Sequence, residues 1–139
     1  DRGQGFAEGI AAVPNIEVVG KQTANFDRTE GLNVTTNLLQ ANPNIKAIFA
    51  ENDEMALGAI EALGARAGEE VKVFGFDGTA DGLTAVEDGK MEGTIAQQPD
   101  ELGARAVEQA AAILDGETPE EEVPVEVVTV TNENVAEFK

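Results

Sequence analysis

A cluster of polar residues interrupts an apolar stretch in the sequence AIFAENDEMALGAI of residues 47–60. The cluster contains three carboxylates and one amide, Glu51, Asn52, Asp53 and Glu54. Carboxylates accept hydrogen bonds, whereas an amide both donates and accepts them. So much polarity between an apolar strand pattern and an apolar helix pattern indicates either helix capping or the recognition of a polar ligand.

The side chains that the chain lacks exclude several kinds of catalysis. The sequence contains no His, no Cys and no Ser. It therefore offers no Ser-His-Asp or Cys-His nucleophile and no histidine ligand for a metal ion. We expect a protein that is not an enzyme and that uses no metal ion and no other cofactor.

Charge and length limit the possible partners and the domain organisation. The 139 residues include 27 acidic and 9 basic side chains, which give a formal net charge of -18 at pH 7. This excess argues against binding to nucleic acid or to an anionic membrane. The length predicts one domain, and no stretch is apolar and long enough to span a membrane.

Helical and strand patterns alternate along the chain. Strands are predicted at 16–22, 45–50, 71–76, 93–97 and 124–130. Helices are predicted around Phe6, Ile10 and Val13, from a capping-box start at Asp27 and Glu30, and at 53–63, 81–88 and 100–115. Apolar strands that alternate with helices predict an α/β fold, with a doubly wound, mostly parallel sheet and helices on both faces.

Polar or aromatic side chains follow the carboxyl ends of four predicted strands. In chain order they are Asn25 and Phe26, the acidic cluster at 51–54, Asp77 and Gln97. Ligands of doubly wound sheets bind outside the carboxyl ends of the strands. This edge therefore combines amides, carboxylates and a flat apolar ring, which suits the binding of a polar ligand without a strong nucleophile.

Each of these residues also has an ordinary structural explanation. Asn52 suits a helix cap, Asp77 a turn, Gln97 a solvated strand end, and Phe26 the core. Only their convergence on one edge of the sheet favours a binding site.

Three stretches of the sequence resemble the C-terminal half of the periplasmic sugar-binding proteins of type I fold, and most closely the ribose-binding ones. They are FAENDEMALGAIEAL, VFGFDGT and DGKMEGTIAQQPDELG. The similarity extends from RGQGF, through ANFDRTEGLNV, to the last strand. Lac-repressor-like regulators share the fold, but they more typically carry a second acid after GFD, where this chain has Gly78 and Thr79.

The resemblance implies a sugar site of five residues that match the family in identity. Arg2 would donate to sugar oxygens and Phe26 would cover the apolar face of the ring. Asn52, Asp77 and Gln97 would supply the remaining polar contacts. The implied ligand is ribose or a similar monosaccharide, and the implied partner is the permease of an ABC importer in an extracytoplasmic location.

The resemblance also implies an incomplete lobe. Residues 1–139 correspond to part of the C-terminal lobe, without the other lobe and without the central strand that would lie beside 16–22. The segment 98–124 is expected to cross to the N-terminal lobe. Association with that lobe, or of the chain with itself, is expected to cover these surfaces.

Two other functions remain open at this point. One is the effector-binding domain of a lac-repressor-like regulator. The other is a phosphoacceptor receiver domain with Asp53 and Glu54 as metal ligands, although no Lys ends the strand at 93–97 as that activity requires. Otherwise, Asp53 and Glu54 are interpreted as cap and first-turn acids of a helix.

Overall fold

Helices and strands alternate along residues 2–139, the part of the chain that this computed structural model describes. The helices are α1 (Arg2–Ala11), α2 (Arg28–Ala41), α3 (Asp53–Leu63), α4 (Ala80–Glu87) and α5 (Pro99–Leu114). The strands are β1 (Ala47–Phe49), β2 (Lys72–Asp77), β3 (Gly93–Ala96) and β4 (Val128–Thr131). Short 3₁₀ helices occupy Gly64–Arg66 and Val135–Phe138.

The four strands form one mixed sheet in the order β1-β2-β3-β4. The β1-β2 and β2-β3 pairs are parallel, and β4 runs antiparallel to β3. The α/β class and the mostly parallel sheet predicted from the sequence are therefore confirmed. All three parallel strands end at one edge, which is where the polar residues were expected to meet.

The helices begin and end at the residue types that suit their termini. Asp27 caps α2 by accepting from the backbone N–H of Glu30 at 2.8 Å, and Asn52 caps α3 by accepting from that of Met55 at 2.9 Å. Gly64 ends α3 with a positive φ of 56°, a conformation that glycine adopts without steric cost. The predicted helix boundaries at these positions are confirmed.

The sheet has helices on both faces. Val73 and Gly75 of β2 are buried on the face covered by α3 and α4. Phe49 lies on the other face, where its ring stacks on Phe6 of α1 with 4.9 Å between the ring centroids. The buried core lies between the sheet and α3 and α4, and it includes Ala56, Ala59, Leu63, Val71, Val73, Val86, Met91 and Val130.

The strand predicted at 16–22 is not formed. These residues run outside any strand and are exposed, and a cavity of about 1130 Å³ lies between them and β1. A strand requires a neighbouring backbone to complete its ladder of hydrogen bonds, and no other strand borders this segment among the described residues. The prediction was wrong because the strand-like residues of 16–22 do not themselves provide that partner.

The last predicted strand also has different bounds. It was expected at 124–130, whereas β4 covers Val128–Thr131. Its partner β3 has only four residues, and pairing runs from Gly93 with Thr131 to Ala96 with Val128. The length of the ladder therefore excludes residues 124–127 from the sheet, despite their alternation.

Helix α5 has no buried residue along its 16 residues. Its apolar side chains remain exposed, namely Leu102, Val107, Ile113 and Leu114. Among residues 2–139, no helix combines the length and the apolar character that crossing a membrane requires.

Candidate functional site

Three of the five predicted site residues are in direct contact at the carboxyl edge of the sheet. Asp77 ends β2, and its Oδ1 lies 2.9 Å from a guanidinium nitrogen of Arg2. The same oxygen accepts a hydrogen bond of 2.7 Å from the side-chain amide of Gln97, which follows β3. The start of α1 and the end of β3 therefore orient the carboxylate at the end of β2.

Arg2 is held by two further contacts. Its other terminal nitrogen donates to the backbone carbonyl of Glu51 at 2.6 Å, and its guanidinium carbon lies 4.0 Å from the ring centroid of Phe76. A guanidinium plane can make these contacts together because its donors are arranged in a rigid fork. Arg2 thereby joins the start of α1 to the ends of β1 and β2.

The backbone at Asp77 is strained. Its φ of 117° lies in a region that side-chain-bearing residues rarely adopt, and Gly78 follows with a φ of 74°. The backbone N–H of Gln97 donates to the Asp77 carbonyl at 3.1 Å, which ties the turn to β3. Both side-chain partners that Asp77 has within residues 2–139 contact Oδ1, so in this part of the chain Oδ2 remains available to accept hydrogen bonds from a ligand.

The other two predicted site residues, Asn52 and Phe26, have different surroundings from Arg2, Asp77 and Gln97. Asn52 is 7% exposed, and its Oδ1 already caps α3, so its amide nitrogen is the group left to donate. Phe26 precedes α2 with a φ of 58°, and the residue is 58% exposed. This exposure excludes the alternative explanation of Phe26 as a core residue. Its ring lines the same cavity as Glu51, which is adjacent to Asn52.

Asp53 has a role that the sequence interpretation missed. It is fully buried, and its Oδ2 accepts from the backbone N–H and the hydroxyl of Thr79 at 2.7 and 2.9 Å. Its Oδ1 accepts from the hydroxyl of Thr94 at 2.7 Å. Asp53 is indeed in the first turn of α3, but the tertiary fold surrounds it with donors. No local pattern signals this, because the donors lie 26 and 41 residues along the chain.

One arginine, Arg28, joins the first turns of three helices. Arg28 of α2 donates to both oxygens of Glu54 in α3, at 2.8 and 2.9 Å, and to Asp81 of α4 at 2.9 Å. The hydrogen bonds that Arg28 donates to Glu54, and then the one to Asp81, raise the pKa of its guanidinium above the ordinary value. The guanidinium is therefore charged at any working pH, and Glu54 is a first-turn acid, as expected.

No group of three or more His, Cys, Asp or Glu side chains within residues 2–139 is arranged to hold a metal ion. The polar atoms at the sheet edge instead form hydrogen bonds with one another. The chemistry available there is the recognition of hydroxyl and carbonyl groups by charged and amide side chains.

Comparison with known families agrees with this geometry. Residues 1–118 match the family model described as periplasmic binding protein domain. The chain belongs to this family. The periplasmic binding proteins with similar sequences include the ribose import binding protein of Salmonella typhimurium, which is 51% identical over 130 residues. That of Escherichia coli is 49% identical over 133 residues, and the D-allose-binding periplasmic protein of Escherichia coli is 39% identical over 127.

The chain spans less than half the length of these relatives. The alignment with the Salmonella protein covers 94% of this chain and 44% of the relative, and the alignment with the Escherichia coli ribose protein covers 96% and 45%. The D-allose-binding protein is covered to 40% by an alignment that includes 90% of this chain.

Solved structures of the family share the fold. An ABC transporter periplasmic solute-binding protein from Actinobacillus succinogenes with bound D-allose superposes with a TM-score of 0.91 at 39% identity, covering 98% of this chain and 48% of that one. The periplasmic binding protein of the arabinose ABC transporter from Shewanella, bound to L-arabinofuranose, also gives 0.91, at 32% identity and with 99% and 48% coverage. The fold of residues 2–139 is therefore that of part of a periplasmic binding protein.

Proposed function

We propose that the chain forms the C-terminal sugar-binding lobe of a two-lobed protein that binds ribose or a similar monosaccharide. The observation that carries this proposal is the Asp77 carboxylate, oriented by Arg2 and Gln97 at the carboxyl edge of the sheet. Relatives named for ribose and D-allose support a sugar as the ligand.

The polar residues have complementary tasks in this proposal. Asp77 uses Oδ2 to accept from sugar hydroxyls, and Arg2 and Gln97 hold it in place while donating to sugar oxygens with their remaining N–H groups. Asn52 donates through its amide nitrogen, because its oxygen caps α3. The exposed ring of Phe26 covers the C–H face of the sugar.

The two-lobed protein would bind its sugar by closing around a hinge, and no covalent bond would change. The segment 98–124, which includes α5, would cross to the N-terminal lobe, and that lobe would cover the exposed apolar side chains of α5. The closed form would deliver the sugar to the permease of an ABC importer outside the cytoplasm. These steps are inferred from the family and from the unburied state of α5.

Calorimetric titration of the two-lobed protein with ribose tests the proposal. We expect Asp77→Asn to weaken binding more than any other single change at the site, because hydrogen bonds to a charged acceptor contribute about 1.5–3 kcal/mol each. Asn tolerates the positive φ at this position better than Ala does, so the substitution changes the charge and leaves the turn intact.

Asp88→Asn is the matched control. It makes the same chemical change at an exposed residue directly after the C-terminal end of α4. We expect the affinity for ribose to stay unchanged. An Asp77→Asn protein with unaltered affinity would contradict the assignment of the site. A sugar-dependent covalent product, followed by NMR, would contradict the absence of catalysis.

A further inference from the structure

The strained turn after β2 is connected by hydrogen bonds to the buried carboxylate of Asp53. Asp77 and Gly78 both have positive φ values, of 117° and 74°. Thr79, the next residue, gives two hydrogen bonds to Asp53 through its backbone N–H and its hydroxyl. A sparsely populated backbone conformation persists only where surrounding contacts hold it. Asp53 supplies such contacts at Thr79, two residues after Asp77.

The same carboxylate is connected to β3. The Thr94 hydroxyl donates to Oδ1 of Asp53 at 2.7 Å and accepts from the backbone N–H of Gly78 at 3.3 Å. Thr94 is 1% exposed and lies on the strand that leads to Gln97. The distance between the Asp77 turn and the end of β3 at Gln97 therefore depends on the hydrogen bonds that join Asp53 to Thr79 and Thr94, and Thr94 to Gly78.

The fold leaves room for this carboxylate. A Cβ atom added to Gly82 of α4 would lie 2.6 Å from the Asp53 carboxyl carbon, and one added to Gly75 of β2 would overlap its Oδ1. The donors to Asp53 within the described chain are neutral, an N–H group and two hydroxyls. The contacts thus fix position and direction, because hydrogen bonds require a short distance and a nearly linear angle.

We propose that Asp53 is a positioning residue for sugar binding. It contacts no sugar itself and acts by fixing Asn52, which it directly follows, against the Asp77 turn and the end of β3. The proposal rests on the sugar-binding function proposed above.

Ribose titrations of the two-lobed protein test this role, at a temperature where circular dichroism shows each variant fully folded. We expect Asp53→Asn and Thr94→Val to weaken ribose binding about tenfold or more, the equivalent of one lost hydrogen bond. Thr94→Val keeps the shape of the side chain and removes only the hydroxyl. Thr94→Ser restores the hydroxyl and should bind within about twofold of the unaltered protein.

Glu61→Gln is the charge control, because it removes a carboxylate from an exposed position of the same helix. Its affinity should not change. The backbone amide resonances of Gly78, Thr79 and Gln97 give a second measurement, which should move in Thr94→Val and return in Thr94→Ser. A role in stability alone would lower the melting temperature and leave the affinity of folded Thr94→Val intact, which would overturn the proposal.

Failure of the proposed function is distinguishable from failure of this inference. If the unaltered protein binds no sugar, the proposed function is wrong, and the amide resonances still decide whether Asp53 and Thr94 set the turn. Unmoved resonances in Thr94→Val would overturn the positioning role in that case as well.

Discussion

At the scale of single residues, the site depends on Arg2, whose guanidinium contacts three groups at once. One terminal nitrogen donates to the Glu51 carbonyl, the other pairs with Asp77, and the plane lies on the ring of Phe76. A lysine ammonium is a point charge and cannot reproduce this fork. Arg2 is therefore expected to matter for its shape as well as for its charge.

We predict that Arg2→Lys weakens ribose binding by the two-lobed protein by about 1–2 kcal/mol, because one charge-assisted hydrogen bond is lost. Calorimetric titration measures this change. Arg66→Lys is the control, since Arg66 pairs with Glu70 on the surface and takes no part in the proposed site. Equal affinities for Arg2→Lys and the unaltered protein would show that the fork is dispensable.

At the scale of elements, α2 and α3 approach each other closely at two glycines. A Cβ atom on Gly58 would overlap the Arg28 carbonyl oxygen and lie 2.7 Å from the backbone nitrogen of Leu32. A Cβ atom on Gly31 would lie 2.9 Å from backbone atoms of Met55. This approach brings the first turns of both helices together, where Arg28 pairs with Glu54.

We predict that Gly58→Ala destabilises the protein by about 1–3 kcal/mol, because neither helix backbone can yield without moving the other. Urea unfolding followed by circular dichroism measures the effect. Gly103→Ala in α5 is the matched control, since its added Cβ would meet no atom of the described chain within 4 Å beyond its own chain neighbours and helix backbone. Helix propensity alone should make that variant neutral or more stable by up to about 1 kcal/mol.

If Gly58→Ala unfolds at the same urea concentration as the unaltered protein, the α2-α3 contact is looser than the structure has it. A loss of the same size in Gly103→Ala would show that the α2-α3 contact is not the cause of the destabilisation, since helix propensity favours alanine at both positions. Neither result is expected, because the two glycines differ in their surroundings and share their helical conformation.

At the scale of the whole molecule, two surfaces lack a cover within the described chain. One is the cavity between 16–25 and β1, and the other is the apolar side of α5, where Leu114 is 87% exposed. Backbone groups with no neighbouring strand and exposed apolar side chains both favour association. The net charge of -18 opposes it, and salt weakens this repulsion.

We predict that the isolated 139-residue chain binds ribose more weakly than about 1 mM, or roughly -4 kcal/mol. Its contacts come from one lobe, and hydrogen bonds that stay exposed to water contribute only about 0.5–1.5 kcal/mol each. Ordering the sugar and the contact side chains costs a comparable amount. Ribose titration of the purified chain measures the affinity.

Sedimentation of the same sample should reveal self-association that increases with salt. Leu114→Glu is the variant that tests the contribution of α5, since a charge there should reduce association and leave the fold intact. A stable monomer that binds ribose at micromolar concentration would contradict this account of which surfaces the site requires.

Much of the fold and part of the site follow from the sequence alone. The alternation of apolar strand and helix patterns determines the α/β class, and Asp27, Asn52 and Gly64 determine helix ends through local hydrogen bonds and backbone freedom. The meeting of Asp77 and Gln97 is also determined, because neighbouring parallel strands end at the same edge. Their role in sugar binding stays a prediction.

Only the tertiary structure decided the rest. Residues 16–22 have the pattern of a strand and are not one, because a strand exists through a partner that their own side chains cannot supply. Asp53 reads locally as a first-turn acid, yet the fold buries it among donors from β3 and the start of α4. Local patterns determine which conformation a segment favours, whereas pairing and burial depend on residues far along the chain.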